Sequence, residues 1–310
     1  MDKNNLYGLE KEYKDIQIPS ELNHVVQTGI ERGRTKMNKR SSNKFLNICA
    51  SLILGLTLLT ASVNISPTFG HSLENIPYMG KLVKVLQFNN GTSEGGTVTD
   101  GTDISGIDSF EKEGYENIVI NFSQYDMLQN DVGAFKVKYD ENPYTMTFEI
   151  NGARYISAEK DFNKILENKY VKDIYTIVTA DDSAIRFVIE FDRPVKYKIE
   201  ERKDPASLVI SLKEDEKYEE KKIYSLRTES YVYGIFLTHF EEKLAAFNIE
   251  TRQLKDEDGL LFLEIQSFET LEEAEEKLEE LSKSTDIEML IEERMGIKEP
   301  QSYPSGYPSE

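Results

Sequence analysis

The sequence predicts an α+β chain with one transmembrane helix, an antiparallel β-sandwich and, after it, a small βαββαβ module. Three observations carry that expectation. Phe45 to Val63 runs 19 residues without a charge, about 28 Å as a helix and close to the thickness of a bilayer core. From Asn117 to Leu212 apolar residues alternate with period two, the mark of half-buried strands. Residues 231–296 then switch between strand-like and helix-like patterns.

Residues 1–44 form a cytoplasmic segment in this reading. Ser20 is placed to cap an amphipathic helix carrying Leu22, Val25, Val26 and Ile30 on one face. Such a face either rests on anionic headgroups or docks a cytoplasmic protein. Arg32, Arg34, Lys36, Lys39, Arg40 and Lys44 follow, against the single acid Glu31, and a basic flank stays in the cytoplasm. The uncharged run at 45–63 is then an anchor. A secretory signal starts near the first Met, whereas 44 mostly polar residues precede this one, and neither Ala61-Ser62-Val63 nor Phe69-Gly70-His71 makes a small-x-small cleavage site. The expected topology is a single pass through the cell membrane, with the N-terminus cytoplasmic and the C-terminal domains outside.

Charge divides unevenly across that boundary. Residues 1–44 hold nine basic and six acidic side chains, which leaves 28 basic and 50 acidic for 64–310. So acidic an exterior argues against nucleic acid and against an anionic membrane surface as partners. The only cysteine, Cys49, lies in the uncharged run, so the exterior forms no disulfide, which suits a bacterial cell envelope better than a eukaryotic ectodomain.

Residues 64–88, with Met79, Leu82, Val83 and Leu86 at helical spacing, predict a stalk helix. Ile18-Pro19, Gly29-Ile30, the basic stem, the span, "NISPTFG" and "IPYMGKLV" together resemble the N-terminal half of an uncharacterised family of Gram-positive membrane proteins, over roughly residues 16–90. The resemblance implies a link to extracytoplasmic-function sigma factors and an anti-sigma or sensor role. Residues 89–108, rich in Gly, Thr, Ser and Asp, predict a flexible linker.

Residues 109–214 carry the alternating strands, with one short helix expected around Phe162, Ile165 and Leu166. The stretch from Ile185 to Leu212 resembles the terminal hairpin of an AMIN domain, on Arg186, Asp192, Pro194, Asp204 and Pro205. That resemblance implies a β-sandwich that binds the cell wall.

A linker at 215–230 leads to a module at 231–296, read as strand "YVYGIFLT", helix "FEEKLAAFN", strands around "IETRQL" and "GLLFLEIQSF", a helix and a last strand "DIEMLIEERM". Thr270 to Glu273 makes a capping box ahead of the stripe Leu271, Ala274, Leu278 and Leu281. Gln266, Ser267, Phe268, Ala274 and Leu278 resemble the second half of a SPOR domain, which implies a ferredoxin-like fold and glycan strands of peptidoglycan as ligand. The glycine which that family has before its Ser/Phe pair is missing. Residues 297–310, "KEPQSYPSGYPSE" after Ile297, predict a disordered tail.

Little here points to catalysis. His24, His71 and His239 fall in three different segments, so no exterior domain supplies a His pair for zinc or a Ser-His arrangement. The acids from Glu269 to Glu280 lie opposite leucines and read as a solvated helix face rather than paired catalytic carboxylates. No phosphate-binding loop or EF-hand pattern occurs, and no cofactor is expected. What remains is a surface that binds. Tyr197, Tyr231 and Tyr233 are candidates to stack on sugar rings, with Arg252 and Gln266 as directional hydrogen-bonding groups. The function expected is a non-enzymatic envelope regulator with a sigma factor inside and peptidoglycan or envelope proteins outside; the alternative is a wall-binding or sporulation and cell-division scaffold.

Overall fold

Alternation decides the first layer pair. A computed structural model describes residues 80–89, 91–216 and 220–306. One sheet orders its strands β1 (Lys81–Val85), β11 (Val195–Lys203), β12 (Ser207–Glu214), β4 (Tyr115–Gln124), β3 (Thr102–Lys112) and β8 (Ala153–Tyr155), with β5 (Met127–Leu128) hydrogen-bonded to β4. The facing sheet runs β2 (Thr92–Gly95), β6 (Phe135–Asp140), β7 (Thr145–Asn151), β10 (Ala184–Phe191) and β9 (Val171–Ile177). Every second residue of these strands points between the sheets, so Ile118, Ile120, Phe122, Met146, Phe148, Phe187, Ile189 and Leu208 are fully buried. Phe148 and Phe187, directly paired across β7 and β10, stack at 4.8 Å between centroids. The short helix α1 (Phe162–Ile165) closes one end, with Ile165 buried in the same core.

The third sheet orders its strands β14 (Arg252–Lys255), β15 (Leu261–Phe268), β13 (Lys222–Thr228) and β16 (Met289–Met295), all antiparallel. Helices α2 (Phe236–Ala245) and α3 (Leu271–Ser282) contribute Leu237, Leu244, Leu278 and Leu281 to the cluster that holds Leu226, Leu263, Ile265 and Ile291 of the sheet. Thr270 starts α3, its Oγ1 accepting from the Glu273 N–H at 3.3 Å. Thr270→Ala removes that acceptor, and a drop of about 1 kcal/mol in urea-denaturation stability is expected.

Several expectations need correction. The α+β chain with a transmembrane helix gives way to a mostly β body: among the described residues sixteen strands stand against three helices and one 3₁₀ turn, and no helix among them is long and apolar enough to cross a membrane. The run at 45–63, the docking face Leu22, Val25, Val26 and Ile30, and the basic stem from Arg32 to Lys44 all lie outside the described residues.

The apolar residues read as a stalk helix sit on a strand, because Lys81–Val85 finds a partner in β11; Leu86 N–H continues the ladder to Ile199 O at 2.8 Å. The stretch read as a flexible linker holds β2 and the start of β3. Its small polar residues are satisfied by partners far along the chain: Thr102, fully buried, donates to Gln129 Oε1 at 3.1 Å, while Ile104 and Ile107 fill the core. The linker at 215–230 contains β13, which takes the place of the strand expected at 231–238. The apolar residues beyond Tyr231 belong to α2 instead, since Leu237 and Leu244 recur at helical spacing. The tail read as disordered is ordered through Gly306 and lies against the third sheet, with Ser230 N–H donating to Tyr303 O at 2.7 Å.

Candidate functional site

Strand parity gives the third sheet two unlike faces. Leu226, Leu263, Ile265 and Ile291 point at the helices. Ser225, Arg227, Phe262, Glu264, Glu292 and Arg294 point the other way, and all are buried. Burying charges is costly unless each meets a partner, and here each does. Arg227 and Glu292, both fully buried, pair at 2.7 Å, and the Arg227 guanidinium lies 3.3 Å above the Phe262 ring. Glu264 accepts from Ser225 Oγ at 2.6 Å, from Arg294 at 2.8 Å and from Arg252 Nε at 2.6 Å.

That charged face is what holds the sandwich. Arg252 donates to the carbonyls of Asn142 at 2.7 Å and Pro143 at 3.3 Å, and Arg294 reaches the same Asn142 carbonyl at 3.0 Å. Gln253 completes the join: its Oε1 accepts from Val178 N–H at 2.9 Å and its Nε2 donates to Val178 O at 2.8 Å, which imitates a strand partner just beyond β9. Beside it Arg186 of β10 donates to the same Val178 carbonyl at 3.2 Å and grips Glu241 of α2 at 2.9 and 3.3 Å. Tyr175, Ile177 and Val188 of the sandwich enter the apolar cluster under α2. Gln253→Ala leaves the Val178 N–H without its partner in a buried place and its carbonyl with Arg186 alone, and a loss of about 1–3 kcal/mol in urea denaturation is expected.

Between the two bodies runs a polar groove lined by Lys138, Asp140, Glu250, Thr251, Arg252 and Gln266, with the buried Glu264 and the half-buried Ser267. Lys138 bridges Asp140 at 3.3 Å and Glu250 at 3.8 Å. Asp140 Oδ2 is buried and has no hydrogen-bond partner. Burial alone pushes the Glu264 carboxyl up, but Arg252, Arg294 and the Ser225 hydroxyl together outweigh it and hold it below its usual 4.5. A depressed folded value means that the contribution of Glu264 to stability is full above about pH 4.5 and is lost as the pH falls through the lowered value. The stability gap between the wild type and Glu264→Gln is therefore expected to be widest near pH 7 and to narrow below pH 4, read by urea denaturation at each pH.

The residues named from the sequence fall in different places. Arg252 and Gln266 meet in the groove; Gln266 is exposed there, whereas the Arg252 guanidinium is committed to Glu264 and the sandwich carbonyls. Tyr231 is buried, its ring 5.6 Å from that of Phe240. Tyr197 packs among Phe88 and Tyr139 at 4.9 and 4.6 Å, and burial drives its hydroxyl pKa well up. Tyr233 stands 62% exposed before α2 and does not line the groove. The core thus claims Tyr197 and Tyr231, and of the three candidate tyrosines Tyr233 is the exposed one.

Of the AMIN-like residues, Arg186 is at the join, Asp192 pairs with its neighbour Arg193, and Pro194 O accepts from Asp215 N–H. Asp204 and Pro205 form the turn between β11 and β12. Gly80 is wedged there: a Cβ on it would overlap the carbonyls of Pro205 and Lys203, and its own carbonyl accepts from the fully buried Arg202 at 3.1 Å. Of the SPOR-like residues, Ser267 lines the groove, while Phe268, Ala274 and Leu278 are structural packing of the third sheet and α3. Sequence reading missed Gln253, Glu241, Asn142, Arg227, Glu292 and Arg294. For Glu292 and Arg294 the available signal is a pair of opposite charges at the same strand parity in "LIEERM".

Among the described residues no group of three His, Cys, Asp or Glu side chains is placed to hold a metal ion. The chain matches no family model. It is similar to the anti-sigma-V factor RsiV of Bacillus subtilis (strain 168): 33% identical over 88 residues, a stretch that covers 28% of this chain and 29% of that protein.

Proposed function

We propose that this chain is a membrane-associated, non-enzymatic regulator of the anti-sigma type. It holds a sigma factor through residues 1–44 and reads an envelope partner through the body at 80–306. The similarity to an anti-sigma factor carries this reading. The way the body meets the incoming chain supports it: Gly80 is seated on the Asp204-Pro205 turn and β1 is laddered to β11, so a load on the body reaches residue 80 without slack. The fused join between sandwich and third sheet supports a body that responds as one piece. Peptidoglycan is the outside partner we favour. Exposed Gln266 with Thr251 and Ser267 along the groove offers neutral hydrogen-bonding groups suited to sugar hydroxyls.

The outside half has its own test. Full-length protein in detergent is mixed with purified peptidoglycan, with and without stem peptides, and sedimented. Co-sedimentation that falls on Gln266→Ala is expected; a protein that stays in the supernatant with both preparations removes wall binding.

A further inference from the structure

The segment from Pro300 to Ser305 is held against the third sheet in the manner of a bound peptide. Seven hydrogen bonds attach it, and each uses one of its main-chain atoms. Pro300 O accepts from Glu257 N–H, Gln301 N–H donates to Glu292 Oε1, and Gln301 O accepts from Arg227. Ser302 N–H donates to Glu257 Oε1 and Tyr303 N–H to Ser230 Oγ. Tyr303 O accepts from Ser230 N–H, and Ser305 N–H donates to Ser230 O, which makes a one-residue parallel bridge between Ser230 and Pro304.

Main-chain reading with one anchored side chain is how extended peptides add to a sheet edge. The anchor here is the Tyr303 ring, 5.3 Å from the Arg227 guanidinium, which is itself fixed by Glu292, by Ser230 Oγ at 2.6 Å and by the Phe262 ring beneath it. The outward side of the segment is open, with Gln301, Pro304 and Gly306 exposed. Ser302 Oγ and Asp256 Oδ2 are buried there without partners. The motif Tyr303-Pro304-Ser305 recurs at once as Tyr307-Pro308-Ser309, so the sequence carries the same peptide chemistry twice.

We propose that Arg227, Ser230, Glu257 and Glu292 form a binding site for an extended peptide bearing a Tyr-Pro pair, filled in cis by residues 300–305 and open to the same chemistry in trans. An incoming peptide of this kind competes with the chain's own segment. The site is separate from the groove at Gln266 and does not depend on sigma-factor or wall binding.

Full-length Tyr303→Ala withdraws the anchor from the cis segment and leaves the four receiving residues in place. Hydrogen exchange at the Ser230 amide, read by NMR or mass spectrometry, is expected to speed up about tenfold. A synthetic peptide of residues 299–306 at millimolar concentration is expected to restore the wild-type rate, and a scrambled peptide to leave it fast. Fast exchange that the peptide does not slow overturns the proposal, as does an unchanged rate with no labelled peptide bound. Glu257 is exposed, so Glu257→Ala supplies a variant in which folding is not at issue. It is expected to speed Ser230 exchange and to weaken rescue by the peptide at least threefold, and equal rescue in Glu257→Ala and Tyr303→Ala proteins counts against the site.

Discussion

Replacing Arg227 with Ala is expected to lower the unfolding free energy by about 3–5 kcal/mol, because it takes the close guanidinium partner from Glu292 in a place that water does not reach and leaves that charge only Arg294 Nε at 3.6 Å. Both side chains of the pair are fully buried, and Glu292 also accepts from Gln301 N–H, so the carboxylate cannot swing out without breaking the hold on that segment. Truncation also strips the Phe262 ring of its cationic cover at 3.3 Å and leaves a void the size of a long side chain. The double variant Arg227→Met with Glu292→Leu separates charge from volume. It removes both ions and keeps the bulk, and its loss is expected to be less than half that of the single change, since a buried ion pair is roughly neutral against apolar isosteres. Urea denaturation followed by circular dichroism measures both. Equal losses in the two variants would show that packing, and not the weakened pairing of Glu292, sets the cost.

The second large effect is at Gly80. A Cβ there runs into the carbonyls of Lys203 and Pro205, which belong to a tight turn and have no room to retreat. Gly80→Val is expected to lift β1 off β11 while the sandwich behind it stays folded. The Leu86 amide, which donates to Ile199 O, is then expected to exchange about 100-fold faster, equivalent to about 2.7 kcal/mol of local opening. Amides of Phe148 and Phe187 deep in the core should keep their protection. Loss of protection in both places would mean that β1 is integral to the sandwich and not a separable grip on the incoming chain.

Period-two alternation between Asn117 and Leu212 reads six of the sandwich strands, β4, β6, β7, β10, β11 and β12, but not β9 between them. The same rule failed where pairing partners lie far along the chain. Thr92–Gly95 looks like a linker by composition because Thr, Ser and Gly carry no apolar signal, and it is a strand because β6 pairs with it; the start of Thr102–Lys112 looks the same, although its partner β4 follows at once in a hairpin. Lys81–Val85 has helical spacing and still forms a strand because β11 pairs with it. The site was less legible. Arg252 and Gln266 were found as polar residues on strands, yet the sequence does not say that the Arg252 guanidinium is consumed by Glu264 and Asn142. Tyr197 and Tyr231 looked available because aromatic residues read alike whether they pack or bind. Gln253, whose side chain closes the backbone of Val178, gives no sequence signal, because its importance lies in an unpaired strand end 75 residues away.

In the proposed function residues 1–44 engage a sigma factor. Full-length protein and a variant carrying Leu22→Asp and Val26→Asp are each mixed with a panel of purified bacterial sigma factors and recovered by affinity tag. The account predicts that one alternative sigma factor is retained stoichiometrically by the wild type and released by the double substitution. Retention of none, or retention that the two substitutions leave unchanged, would contradict it.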